Sequence, residues 1–225
     1  MAIIHDTTMS PGKLELLAAW LPAQPWYLDG GGTPRLAKAG GFRLDDPDGA
    51  VGIEFMLVTG GSGDGASAYQ VPLTYRARAL AGADAGLIGT SEHGVLGHRW
   101  IYDGTRDPVL VAQLIALLQG TAKPQAQSVS NTPDPTVTVQ LVGDGSLTVT
   151  GPAVAADGPS ATDLRVATAS AGGTRRGHLT VRVNRILRPA GGADQPGLSA
   201  PWRLPDGTQV RGILVTADYT PVSGQ

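Results

Sequence analysis

The stretch nearest to an acid–base pair or a partial metal site is Glu92-His93, with His98 five residues further on. Neighbours on a strand point to opposite faces, so Glu92 and His93 converge only in an irregular segment. A spacing of five also misses the one-face geometry of helical metal ligands, so structural histidines are the simpler expectation. Two glycine-rich stretches could meet an anion. Gly60-Gly-Ser-Gly-Asp-Gly65 lacks the Gly-Lys-Ser/Thr of a phosphate loop and leads into a strand, so it reads as a hairpin loop. Gly172-Gly-Thr-Arg-Arg-Gly177 is better placed: its glycines admit close backbone approach, and Arg175 and Arg176 offer two guanidiniums. A solvated hairpin tip would use the same residues. Asp45, Asp46 and Asp48 could face Ca²⁺, but the EF-hand pattern is absent and a Pro/Asp/Gly turn accounts for them. Trp20, Trp26 and Tyr27 could stack on a sugar ring or fill a core. There is no Cys, which excludes thiolate nucleophiles, Fe–S clusters and Cys-based zinc sites. No Gly-x-Ser-x-Gly elbow is present. No catalytic residue, metal or other cofactor is assigned.

The elements that must position these residues follow from pattern and composition. The chain has 225 residues, 41% of them apolar, enough to build a core in one large domain or two small ones. With 32 Gly and 17 Pro and no short period, it reads as many turns between short strands. Ser10-Pro11 looks like a helix start, Leu14, Leu17, Ala18 and Leu21 recur at helical spacing, and Pro22 closes the run. Phe42–Leu44 and Val51–Val58 flank the turn Asp45-Asp-Pro-Asp-Gly49, which predicts a hairpin. Tyr69–Arg76 and Leu96–Tyr102 continue as strands, with Pro72 predicting an edge position or a bulge. Asp107-Pro108 starts a second helix over Val109–Leu118, apolar on most sides and so packed on a sheet. The segment Thr121–Pro135 reads as a linker. Beyond it, Thr136–Leu141 and Ser146–Thr150 predict a hairpin around Gly143-Asp-Gly145, and Leu164–Ala169 with His178–Leu187 predicts another. Val210–Val215 follows a Pro-Asp-Gly turn, and no helix is expected after Gly120.

The first half resembles a known family. Trp20-Leu-Pro-Ala-Gln-Pro-Trp26-Tyr27 is similar to the opening of actinobacterial maltokinases. Val71-Pro-Leu-Thr-Tyr-Arg76, Leu87-Ile-Gly-Thr-Ser-Glu-His93-Gly-Val-Leu-Gly-His-Arg-Trp100-Ile-Tyr-Asp103-Gly and Asp107-Pro-Val109 resemble the rest of their N-terminal cap domain. The likeness covers about residues 10–120. It implies a curved antiparallel sheet with helices, which in that family sits at the end of a kinase-like enzyme phosphorylating maltose with ATP, on a route from trehalose to α-glucan. Where the family carries a Gly-Lys-Gly-type basic stretch, this chain has Leu28-Asp-Gly-Gly-Gly-Thr33. Leu179-Thr-Val-Arg182-Val-Asn-Arg-Ile-Leu187 resembles the N-lobe strand that carries the ATP-contacting Lys, which puts Arg182 in that lysine's place and Ala171–Gly177 at the phosphate loop. About 105 residues after Gly120 leave no room for a helical catalytic lobe, and no catalytic-loop Asp followed by Asn is found.

The expectation is an α+β, mostly β protein. A cap-like curved antiparallel sheet with two packed helices spans residues 1–120, a linker spans 121–135, and a second antiparallel β-rich unit resembling a degenerate kinase N-lobe spans 136–225. Its expected role is that of a non-catalytic, stand-alone accessory or regulatory protein of α-glucan and trehalose metabolism. Its expected partner is a sugar kinase or another enzyme of that pathway. Two alternatives stay open: an α-glucan or maltose-binding module using Trp26, Tyr27 or Trp100, and a pseudokinase-like nucleotide binder, or part of a split sugar kinase, using Arg175, Arg176 and Arg182. Net charge is −2, about −4 over 1–120 and about +2 over 121–225, too little basic excess for nucleic acid. With no signal-peptide pattern and no apolar run of transmembrane length, no membrane association and a cytoplasmic location are expected.

Overall fold

The computed structural model describes residues 8–28, 33–61, 66–129, 131–140, 147–170, 176–190 and 197–222. The described elements run β1 (Met9–Ser10), α1 (Lys13–Trp20), β2 (Leu36–Leu44), β3 (Gly52–Gly60), β4 (Ser67–Arg76), β5 (Leu87–His93), β6 (Gly97–Asp103) and α2 (Pro108–Leu118). They continue as β7 (Gln125–Ala126), β8 (Thr138–Gln140), β9 (Leu147–Val149), β10 (Val154–Asp157), β11 (Ala161–Ser170), β12 (Arg176–Asn184), β13 (Ile186–Leu187), β14 (Gly197–Arg203) and β15 (Gln209–Pro221). The fold is mostly β, with two curled antiparallel sheets and two short α-helices among the described residues.

The first sheet runs β1-β5-β6-β4-β3-β2-β7, and the second runs β10-β11-β12-β15-β14-β8 with β9 also on β11. β3 reads Gly-Ile-Glu-Phe-Met-Leu-Val-Thr-Gly and is buried along almost its whole length. A near-continuous apolar run of this kind suits a central strand covered on both faces. Ile53, Phe55 and Leu57 point to the face that carries α2, where they share one buried cluster with Leu110, Leu114, Leu118 and, from the second sheet, Leu164, Val181, Leu214 and Trp202. Met56 and Val58 point the other way, towards Leu17, Leu21 and Trp26, with Leu14 and Trp20 of α1 packed around them. These are the α2 face and the α1 face.

Both helices form where the spacing predicts them, and their starts are explained by capping. At α1 the cap is Gly12 rather than Ser10, and its N–H donates to Glu15 Oε2 at 2.6 Å. At α2 the Asp107 side chain accepts from the Val109 N–H at 2.9 Å, with Pro108 in the first turn. The hairpins β2–β3 and β11–β12 pair as expected, and Val210–Val215, expected after the Pro-Asp-Gly turn, is part of β15, which pairs with β14, a strand the sequence did not suggest.

Two expectations need correction. Pro72 does not mark an edge: β4 is internal, with β3 on one side and both β13 and β6 on the other. The Gln70 N–H donates to Arg185 O at 2.9 Å, so the nitrogen of Pro72, two residues on, faces the same side. There β13 has stopped at Tyr69 and β6 begins at Leu73, so the absent N–H falls in the gap between two partners. Second, β8 and β9 do not form a hairpin. β8 pairs with β14 and β9 with β11, at opposite sides of the second sheet. The intervening Gly143-Asp-Gly145 lies outside the described residues.

Candidate functional site

β13 belongs to the later part of the chain but pairs with β4 of the first sheet, and the bend that sends it there puts Arg185 inside the protein. Arg185 is 0% exposed. Its Nη2 donates to Asp103 Oδ2 at 2.5 Å and Thr105 Oγ1 at 2.9 Å, and its Nε donates to Thr162 Oγ1 at 2.8 Å. The guanidinium carbon lies 5.0 Å from the ring centre of Trp26, a cation–π contact in a dry setting. Asp103 Oδ1 accepts from the N–H and hydroxyl of Thr105 and so shapes the turn after β6. Nη1 of Arg185 and Nε1 of Trp26 have no hydrogen-bond partner among the described residues.

A second buried carboxylate, Glu54, sits on the α1 face of β3. Its Oε2 accepts from Lys13 Nζ at 2.6 Å and from the Tyr75 hydroxyl at 2.6 Å, and its Oε1 accepts from Gln127 Nε2 at 2.6 Å. Burial pushes the Glu54 carboxyl up, but the Lys13 charge and the bonds from Lys13, Tyr75 and Gln127 outweigh it and hold the group below its ordinary value. Burial and the neighbouring Glu54 charge push the Tyr75 phenol well above its ordinary value. A third charge pair joins the sheet to α2: Arg76 Nε and Nη2 donate to Asp107 Oδ2 and Oδ1 at 2.6 and 2.7 Å.

The structure separates the aromatics singled out in the sequence. Trp26 is 1% exposed, edge-on to Trp20 at 5.8 Å and tilted against Tyr69 at 6.2 Å. Tyr27 is half-buried and packs on Tyr69 at 5.4 Å. Both belong to the α1 face. Trp100 stands on the opposite face, because Tyr75 pairs with Ile101 and Arg76 with Trp100, and Ile101 packs with the α1 cluster. Trp100 is half-buried, like Tyr27, and meets the His98 ring edge-on at 4.3 Å.

The arginines are not gathered either. Arg182 is exposed on β12, and its Nε and Nη2 donate to Asp163 on the neighbouring strand at 2.7 and 2.9 Å. That bond raises the Arg182 pKa and lowers that of Asp163. Arg176 is exposed at the start of β12, while Arg175 lies outside the described residues. His98 Nδ1 lies 2.5 Å from Glu92 Oε1, a cross-strand pair on one face, and His93 is on β5 with its Nδ1 accepting from the backbone N–H groups of Val95 and Leu96. Asp46 accepts from the N–H groups of Asp48, Ala50 and Val51, which is the turn role expected of it. No group of three or more metal-ligating side chains occurs among the described residues, and no helix there is long and apolar enough to cross a membrane.

Strands β2 to β6, α1's last residue and the α2 cap Asp107 lie within one matched region. Residues 20–107 match the family model of the maltokinase N-terminal cap domain. The cap match thus contains Trp26, Trp100, Asp103 and Asp107, while the cation that neutralises Asp103, Arg185, lies 82 residues beyond Asp103 and outside it. No curated protein matches the chain. Sequence reasoning missed Glu54 and Arg185. Glu54 had a signal, a lone carboxylate inside an apolar strand, which must be paired if buried. Arg185 had none, since Arg182 in the same run is equally basic and points to water.

Proposed function

We propose that this protein is a non-catalytic, cap-like accessory or regulatory protein of maltose and α-glucan metabolism that acts through protein contacts. The cap match over residues 20–107 carries this reading. Support also comes from how the chemically capable residues of that region are used. Trp26, Asp103, Arg76 and Asp107 hold strands and helices together, and Arg182 is committed to Asp163. Apolar side chains stand in water instead at the β5–β6 turn, where Val95 is 60% and Leu96 46% exposed.

The test pairs two measurements on the purified protein. Capture from the source cell is expected to bring down an enzyme that acts on maltose or α-glucan, and Leu96→Asp is expected to release it. Phosphorylation of maltose by the protein with ATP and Mg²⁺ would overturn the reading. A rise in melting temperature with ATP and Mg²⁺ would turn it towards a nucleotide-binding lobe of the kinase type, since only a ligand of the native state stabilises it.

A further inference from the structure

We propose that the partly exposed end of the α2 face, around Trp100, binds an unphosphorylated α-glucan chain. The identity of the sugar rests on the metabolic link proposed above; the geometry of the platform does not. Most of the α2 face is sealed by α2 and the second sheet, but the sheet runs on past the N-terminus of α2 as β6 and β5. Trp100 stands there on the middle strand. Its neighbours on the same face are Arg76 across on β4, Thr90 across on β5, and the pair His98 and Glu92 one step along.

Arg76 and His98 each have a partner on the protein. Arg76 is fixed by two bonds to Asp107, which is itself fixed by capping α2. His98 is fixed between Glu92 and the Trp100 ring. Pre-positioned polar groups around an aromatic plane suit a ligand with an apolar ring face and hydroxyls at its edge, which is the make-up of a pyranose. Arg76, held twice by a buried carboxylate, loses little freedom on binding.

Charge narrows the choice of ligand. Arg76 is bound to a carboxylate, and His98 is bound to Glu92, so this group of residues offers an anion no uncommitted cation. A sugar phosphate or nucleotide would have to break one of these pairs to find a cation, whereas a neutral glucan leaves both intact. The platform lies on an open strand surface rather than in a closed cleft, so successive sugar units should extend along it and longer chains should bind better than maltose.

Titration calorimetry and tryptophan fluorescence with maltose, maltoheptaose and the β-linked cellohexaose test this. Expected are heat and a fluorescence change with maltoheptaose at millimolar concentration, weaker binding of maltose, and no response to cellohexaose. Trp100→Ala should weaken maltoheptaose by about tenfold or more, Trp100→Phe should keep most of the binding, and Trp20→Ala on the other face should leave it unchanged. Silence of the wild type at tens of millimolar maltoheptaose, equal binding of both glucans, or full binding by Trp100→Ala would overturn the inference. If Trp100→Ala releases a captured protein and the wild type ignores glucan, the platform is a protein surface: the inference fails and the accessory reading stands. Glucan binding with no pathway enzyme captured has the opposite meaning.

Discussion

The two faces of the first sheet use the same kinds of residue to opposite ends. On the α1 face, Trp26, in the loop after α1, is sealed in the core, with the buried guanidinium of Arg185, from the bend before β13, across its ring. On the α2 face, Trp100 has a histidine edge against it and stays partly exposed. Each tryptophan has charged groups near it, and in each case the charges are paired. What differs is whether another element reaches over that part of the sheet. Aromatic and charged composition therefore does not mark a binding platform; the covering element decides.

The largest expected effect breaks the sealed side. Asp103→Ala leaves Arg185 charged, fully buried and without its carboxylate, a change that costs about 3–5 kcal/mol. Urea denaturation should show most of that loss. The double variant Asp103→Leu, Arg185→Met removes both charges and should lose less than Asp103→Ala alone. If Asp103→Ala costs under about 1 kcal/mol, the pair is not the buried lock that the geometry describes.

The next effect sets the two faces against each other directly. Trp26→Ala empties a packed site and should destabilise by about 3–5 kcal/mol. Trp100→Ala, at a partly exposed position, should cost no more than about 1 kcal/mol while removing the glucan response. Equal stability losses for the two variants would erase the distinction between the faces.

The parts of this arrangement that could be read from sequence are the local ones. Leu14, Leu17 and Leu21 give α1, Asp107-Pro108 gives the start of α2, the turn Asp45–Gly49 gives β2–β3, and the turn Pro205–Gly207 gives the start of β15 but not its partner β14, because capping, periodicity and turn chemistry act over a few residues. Partner choice over long distances could not be read. β8 and β9 look like a hairpin because Gly143-Asp-Gly145 separates them, yet each finds a different strand, Ser199 and its neighbours for β8 and Thr168–Ser170 for β9. Arg182 and Arg185 show the same limit at the level of one side chain. Three residues apart, one is exposed and bonded to Asp163 and the other is the central cation of the core. The difference arises because the chain leaves the second sheet at Asn184 and joins the first at Ile186, a change of sheet that no local pattern announces. For the candidate site, the residue types around Trp100 were visible, but its separation from Trp26 depended on the register of β4 with β6.

The smallest expected effect concerns the other buried carboxylate of the α1 face, which unlike Asp103 is reached by a partly exposed partner, Lys13. Burial raises the Glu54 pKa, but Lys13 and its other donors lower it further, so the folded protein releases this proton more readily than the unfolded chain does. The resulting stabilisation is complete above the ordinary glutamate value of about 4.3 and is lost as pH falls through the lower folded value. Denaturation midpoints measured between pH 6 and pH 3 (roughly the window set by that value) should therefore decline on the acid side. Glu54→Gln cannot titrate and should show a shallower decline, although it starts from a less stable protein because Lys13 has lost its counter-charge. Parallel declines in the two proteins would mean that Lys13 does not hold Glu54 ionised in the folded state, and the α1 face would then contain one charge lock, Arg185 with Asp103, rather than two.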